Sequence, residues 1–91
     1  MSLELPNSAM LVLGSLAAEG PMTPKTIIEK VGLAPRTISF ALRTLVREQV
    51  IRKIPNLSDM RQPIYHVDME RVKELQLQVG YYFQKMNSEE K

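Results

Sequence analysis

The chain has 91 residues, a formal net charge of +2 and no cysteine. One domain is therefore expected, with no disulfide, no thiolate metal site and no cysteine nucleophile. The longest apolar run, residues 9–13, is too short to cross a bilayer, and no basic segment precedes an apolar one as in a signal peptide. We therefore expect a cytoplasmic protein without a membrane partner.

Charge is distributed unevenly along the chain. Residues 25–61 carry eight basic and three acidic side chains, whereas residues 1–24 and 62–91 are each slightly acidic. A basic middle segment suggests one positive face that attracts a polyanion. A scattered, solvated surface explains the same counts equally well, so charge alone leaves both interpretations open.

Strong start and stop signals mark the first two helices. Asn7 or Ser8 can cap a first helix, and Gly20 followed by proline ends it. A second, short helix is predicted between Thr23, as its cap, and Gly32. Apolar side chains of the first helix recur at the i, i+3, i+4, i+7 spacing of a buried stripe: Ala9, Val12, Leu13 and Leu16.

A third helix is predicted from Pro35 to about residue 48. Its core-facing stripe consists of Ile38, Ala41, Leu42, Leu45 and Val46. The opposite side carries one line of exposed residues, at i, i+4, i+7 and i+11: Arg36, Phe40, Arg43 and Arg47. Thr37 and Ser39 flank this line.

Two short strands and a last helix complete the pattern. Residues 50–54 and 64–67 are rich in β-branched residues, and the polar loop between them makes a hairpin. Asp68 can cap a last helix that runs to about Met86. The order predicts a mostly α fold with a small β-hairpin (α+β): a winged helix-turn-helix in residues 1–67 and a C-terminal helix in residues 68–91.

The exposed line on the third helix has the chemistry of a surface that reads base pairs. A helix of about 14 residues is roughly 20 Å long and fits the major groove. Arginine forks such as those of Arg36 and Arg43 can pair with guanine. Phe40 can meet a thymine methyl, and the hydroxyls of Thr37 and Ser39 can bind phosphate near the helix N-terminus. Because exposed arginines are commonly just solvated surface, the pattern rather than any one residue predicts double-stranded DNA as the partner.

The hairpin loop, residues 55–63, adds a second basic element. Asp59 and Arg61 are two residues apart near its tip, where the acid can hold the arginine extended toward phosphate or a narrow minor groove. Gln62 can hydrogen-bond at the same place. We predict that this wing lies on the adjacent minor groove or phosphates, with Asp59 orienting Arg61.

A set of motifs spans residues 8–67. They are Thr23-Pro24, Ile27-Ile28, the octapeptide GLAPRTIS at residues 32–39, Ala41-Leu42, Leu45, Val50-Ile51-Arg52, Asp59-Met60-Arg61 and Tyr65-His66-Val67. In these motifs the chain resembles the MarR-type branch of winged-helix transcriptional regulators and is similar to its small archaeal members. The resemblance implies a nucleoid-associated regulator, archaeal or bacterial, that binds operator DNA as a dimer. Its implied DNA contacts are Thr37, Ser39, Phe40, Arg43 and, in the wing, Arg61.

Two features depart from the resemblance. The family usually has glycine where Gln49 stands, so the turn after the third helix carries a residue that is strained in a left-handed conformation. The second departure is that this chain lacks the extra helices that longer members use for dimerisation and for small-molecule effectors. No residue pattern in this chain supports an effector.

The last predicted helix has a seam of apolar residues at alternating steps of three and four. The seam consists of Val72, Leu75, Val79, Tyr82 and Met86, with Phe83 beside it. Such spacing, with valine at two of the a positions, is typical of a two-stranded helical interface. We predict a homodimer through this seam. Packing on the chain's own core and an aromatic ligand pocket are the alternatives.

Catalysis, metals and cofactors find no support in the sequence. His66 is the only histidine and lies in a predicted strand without a second ligand nearby. No glycine-rich phosphate loop or nucleophile motif is present. The alternatives to a DNA-binding regulator are therefore a winged-helix module for protein–protein contact in a larger complex, without DNA readout, and an RNA-binding protein.

Overall fold

Three helices, a two-stranded hairpin and a short fourth helix follow one another along the described part of the chain. The computed structural model describes residues 5–75. Its elements are α1 (Asn7–Glu19), α2 (Pro24–Val31), α3 (Pro35–Arg47), β1 (Ile51–Ile54), β2 (Ile64–Val67) and α4 (Met69–Glu74). The predicted α+β winged-helix architecture is therefore confirmed. The predicted extension of the last helix to about Met86 lies outside the described residues.

The starts of the first two helices differ in how well the sequence predicted them. Thr23 caps α2 as predicted, because its hydroxyl accepts a hydrogen bond from the N–H of Thr26 at 3.4 Å. The cap predicted for α1 is wrong. Asn7 is already inside the first turn, Pro6 occupies the cap position, and no side chain bonds to the free N–H groups.

The end of α3 is a tight, hydrogen-bonded reversal. The N–H of Val50 donates to the carbonyl of Leu45 at 3.1 Å, and the N–H of Gln49 donates to that of Val46 at 3.0 Å. This pair of bonds is a Schellman motif, which needs a left-handed residue after the cap. Gln49 is that residue, with φ 65°. The left-handed non-glycine turn predicted there is confirmed.

The hairpin packs back on the helices through an additional pair of residues. β1 and β2 are antiparallel, with Ile51 opposite Val67 and Lys53 opposite Tyr65. Met22, between α1 and α2, exchanges two backbone hydrogen bonds with Tyr65, at 2.8 and 3.1 Å. This bridge fixes the hairpin beside α2 and α3. The strand predicted at residues 50–54 begins one residue later, since the N–H of residue 50 closes the end of α3.

One core joins the helices and the hairpin. It consists of Ala9, Met10, Val12, Leu13, Leu16, Met22, Ile27, Ile38, Ala41, Leu42, Leu45, Val50, Ile51, Tyr65 and Val72. Val46, predicted in the buried stripe of α3, is 38% exposed. At 100° per residue it lies about 80° around the helix axis from Ile38, at the edge of the stripe. Within residues 5–75, no helix is long and apolar enough to span a membrane.

Candidate nucleic-acid interface

The outer side of α3 presents the four residues that the sequence placed in one line. Arg36, Phe40, Arg43 and Arg47 are all exposed. They lie opposite Ile38 and Leu45 because the turn of the helix carries them about 140–200° from the core-facing direction. Phe40 is 51% exposed and therefore presents an aromatic ring on this side of the helix.

Within residues 5–75, the arginines of this outer side have few competing partners. Arg36 and Arg43 form no ion pair with a described residue, and Arg47 has only Glu48, at 3.9 Å. An exposed pair of that length contributes little. The positive charge of α3 is therefore available to a ligand rather than used in the fold.

The beginning of α3 also favours anions. Ala34 stands at the cap position and supplies no side-chain acceptor, and Pro35 opens the helix. The free N–H groups of the first turn and the helix dipole both favour negative charge. Thr37 is half-buried in this turn, whereas Ser39, two residues further along, is exposed.

An open groove of about 620 Å³ separates α3 from the hairpin. Its walls are formed by Pro24, Arg36, Ser39, Leu42, Arg43, Val46, Arg47, Lys53 and Tyr65. Lys53 brings a further cation to the groove, and the sequence reasoning did not select it as a site residue. The signal was present in the alternation of β1: Ile51 faces the core, so Lys53, two residues on, lies on the same side.

The structure brings the three predicted wing residues together. Asp59 Oδ1 accepts hydrogen bonds from the backbone N–H of Arg61 at 3.1 Å and from its Nε at 3.4 Å. Gln62 Nε2 donates to the other carboxylate oxygen at 3.5 Å. The side-chain contacts are long and solvent-exposed, so Asp59 acts chiefly on the shape of the turn. The guanidinium of Arg61 stays almost fully exposed.

Two other arginines are occupied by structural contacts. Arg52 pairs with Asp68 at 3.0 Å, and Arg71 Nε donates to the backbone carbonyl of Glu48 at 3.1 Å. Asp68 also caps α4. Its hydrogen bond from the N–H of Arg71, and then that from Arg52, lower the pKa of the Asp68 carboxyl below its ordinary value of 3.8. These contacts hold the start of α4 to the end of α3 and to β1.

The predicted dimer seam is described only at its start. Val72 is 4% exposed within the single chain, where it packs in the chain's own core, and Leu75 is half-buried against the same core. A side chain this buried has little surface left for a partner, so we assign Val72 to the core. Val79, Tyr82, Phe83 and Met86 lie outside the described residues.

Comparisons with known proteins place this surface in a family. The model of the MarR family matches residues 5–62, which hold α1 to α3, β1 and all but the last residue of the wing loop. No curated protein matches the chain. Several solved structures match it.

Three solved structures illustrate the likeness. PcaV, a transcriptional regulator from Streptomyces coelicolor in complex with its natural ligand, is 26% identical, with a TM-score of 0.75 over 92% of this chain and 59% of its own. MepR from S. aureus, in a DNA-binding conformation, is 22% identical, with a TM-score of 0.73 over 93% and 63%. A mutant of MarR from E. coli, complexed with operator DNA, is 16% identical, with a TM-score of 0.70 over 80% and 52%.

The chain spans less than two thirds of the length of each of these structures. The family model, in contrast, covers more than half of the chain, including the exposed arginine line of α3 and the Asp59–Arg61 wing turn. The chain therefore belongs to the MarR family.

Proposed function

We propose that the chain is a regulator of transcription that binds double-stranded DNA sequence-specifically. α3 lies in the major groove, and the wing lies on the adjacent minor groove or phosphates. The observation that carries this proposal is the outer side of α3, where Arg36 and Arg43 are exposed and unpaired among the described residues. The likeness to a MarR structure complexed with operator DNA supports it.

Base-reading residues, phosphate-binding residues and wing residues have different roles in this proposal. Arg36 and Arg43 offer bidentate forks to guanine, and Phe40 offers an apolar contact to a thymine methyl. Arg47, Lys53, Thr37, Ser39 and the free N–H groups at the start of α3 bind phosphates. These contacts set the register of the helix without reading sequence. Arg61 and Gln62, at the wing, reach the next groove.

A homodimer is part of the proposal. One helix-turn-helix reaches only a few base pairs, whereas two units related by a two-fold axis read half-sites about one helical turn apart. The apolar seam beyond Leu75 supplies the contact between the two copies. Neither a cofactor nor a metal ion takes part, and the role of the protein is binding rather than catalysis.

The first test is the salt dependence of duplex binding. A dimer that neutralises about six to ten phosphates should lose roughly 10³–10⁵ in affinity between 50 and 200 mM salt, with log affinity linear in log salt. A mobility-shift titration on duplexes selected by the protein from a randomised pool measures this slope. Absence of duplex binding at 50 mM salt contradicts the proposal and favours a module for protein contact.

A charge-matched pair of variants separates base reading from general attraction. Arg43→Ala should cost about 1–3 kcal/mol on the preferred duplex and relax selectivity at one base pair. Lys30→Ala removes the same charge from α2, where Lys30 pairs with Glu19 at 2.9 Å, and should leave selectivity intact. Unchanged sequence preference in Arg43→Ala would show that α3 presents a different face to the bases.

A further inference from the structure

The tip of the wing exposes two large apolar side chains. Leu57 is 90% exposed and Met60 is 70% exposed, more than any other large hydrophobic residue among the described residues. Neither contributes to the core. Isolated exposed apolar residues are common on surfaces, but these two lie within four residues of each other on one loop.

The backbone of the tip consists of two successive turns of the same kind. In the first, Asn56 accepts hydrogen bonds through its side chain from the N–H of Ser58 and through its carbonyl from that of Asp59, both at 3.1 Å. In the second, Asp59 does the same for Arg61, at 3.1 Å, and for Gln62, at 3.0 Å. Each turn is closed by hydrogen bonds to its first residue, Asn56 or Asp59, and does not depend on the side chain of its second residue.

The second residue of each turn is the apolar one. Leu57 follows Asn56, and Met60 follows Asp59. Since the turns are closed by the polar side chains and the backbone, Leu57 and Met60 add nothing to the folding of the loop. Two tandem hydrogen-bonded turns also hold the apolar pair in a defined place, as a contact surface requires.

The charge around the pair favours DNA as its partner. Arg61 follows Met60 and is almost fully exposed, and Lys53 stands at the base of the wing beside the groove. The one acid of the loop, Asp59, is engaged with Arg61 and with the backbone. The apolar pair thus lies beside an exposed cation, on a wing whose base lines the groove next to α3.

We propose that Leu57 and Met60 form an apolar wedge that enters the minor groove beside Arg61. Side chains of this kind pack on the sugar walls, separate a base step and bend the duplex toward the major groove. The wedge makes the wing a reader of DNA deformability, favouring flexible pyrimidine–purine steps at a place with no base-edge contact. This inference rests on the proposed function and adds a mode of recognition to it.

The test uses the full chain and a duplex of about 40 base pairs that the parent selects from a randomised pool. The double variant Leu57→Ser/Met60→Ser should lose about tenfold in affinity, since apolar contact is removed without any charge. Its salt slope should equal that of the parent. Bending, measured by energy transfer between the duplex ends, and the fluorescence of 2-aminopurine at the wing step should both fall to the values for free DNA.

Two controls match the chemistry of the change. Met69→Ser removes an exposed methionine from the start of α4 and should bind and bend as the parent does. The exchanged pair Leu57→Met/Met60→Leu keeps the tip apolar and should retain the bend. Thermal unfolding of every variant should match that of the parent, since both tip side chains lie outside the core.

Several outcomes overturn the wedge. If the parent binds its selected duplex but the serine variant binds and bends it equally, the wedge is wrong and the DNA-binding proposal stands. If the serine variant changes only the oligomeric state, the tip contacts protein, and the wedge is likewise wrong. If the parent binds no duplex, the proposed function fails and the wedge fails with it.

Discussion

Gln49 holds a backbone conformation that favours glycine. Its φ of 65° lies in the left-handed region, where a β-carbon costs roughly 1–2 kcal/mol for most L-residues. The conformation persists because the Schellman bonds at the end of α3 and the packing of Val50 against the core require the chain to reverse there. The strain is thus offset by the burial that the reversal permits.

Replacing this residue by glycine should therefore stabilise the domain. Gln49→Gly removes the left-handed penalty but adds freedom to the unfolded chain, so we expect a net gain of about 0.5–1 kcal/mol. For a domain of this size that corresponds to a rise in Tm of about 2–8 °C. Gln49→Ala keeps a β-carbon at the strained φ and should change the free energy of unfolding by less than about 0.5 kcal/mol. A lower Tm for the glycine variant would show that the exposed glutamine side chain stabilises the turn.

At the scale of elements, α4 is fastened to the end of α3. Arg71 donates from Nε to the carbonyl of Glu48, the cap residue of α3, and Asp68 caps α4 while pairing with Arg52 of β1. The cation at the C-terminal end of α3 satisfies a carbonyl and interacts favourably with the helix dipole. The position of α4 on the domain is set by these contacts together with the burial of Val72.

Loss of these contacts should lower the free energy of unfolding. Arg71→Ala removes a charge-assisted hydrogen bond to a partly buried carbonyl and should cost about 1–2 kcal/mol in urea unfolding. Its exposed pair with Glu74 adds little to that figure. Lys73→Ala, an exposed cation on the same helix, is the control and should stay within about 0.5 kcal/mol. Equal effects of the two substitutions would show that water satisfies the carbonyl of Glu48 as well as Arg71 does.

The elements predicted from the sequence are those with regularly spaced apolar residues or with residues that mark an end, such as proline and glycine. Apolar spacing, with proline and glycine at the helix ends, predicted α1 to α3, because burial of one face imposes this spacing. Two runs of β-branched residues with a polar loop between them predicted the hairpin. The Met22–Tyr65 bridge was missed, since a single residue pair has no period. The polar loop was recognised as a turn, but its tandem architecture depends on which N–H groups face Asn56 and Asp59, and only coordinates show that.

The same limits apply to the candidate interface. The arginine line of α3 followed from the position of the core stripe, because the outer side of a helix is fixed once its inner side is known. Lys53 was missed because the alternation that places it on the same side as Ile51 extends over only the four residues of β1. Val72 was predicted in the dimer seam, and its burial in the core arises from the three-dimensional packing of α4, which heptad spacing does not encode.

At the scale of the whole molecule, the proposed binding to DNA depends on how two copies of the chain are joined. The spacing of Leu75, Val79, Tyr82 and Met86 predicts an apolar seam between two C-terminal segments. A tether of this kind multiplies the affinities of two weak half-sites through effective concentration. The contacts of Arg71 and Asp68 hold the start of α4 against the domain. In the proposed dimer, they should therefore help to keep the two copies of α3 at a fixed separation.

A charge placed in the middle of the seam should separate the copies. Val79→Glu sets two carboxylates against each other in an apolar interface, where an unpaired charge is costly. The core of α1 to β2 lies within each chain, so helical circular dichroism should be largely retained while sedimentation gives a monomer. Affinity for the selected duplex should fall by orders of magnitude and the footprint should halve, because each monomer reaches one half-site.

The control is Gln84→Glu, which adds the same charge at a heptad position away from the seam and should leave sedimentation and footprint unchanged. Sedimentation of the parent decides whether the apolar residues join two copies or pack within one chain. If the parent is a monomer at tens of micromolar, the seam packs within one chain, and Val79→Glu should then lower the Tm instead of the mass. In that case the footprint of the parent would already be that of one half-site, and the two-fold symmetry of the selected duplexes would be absent.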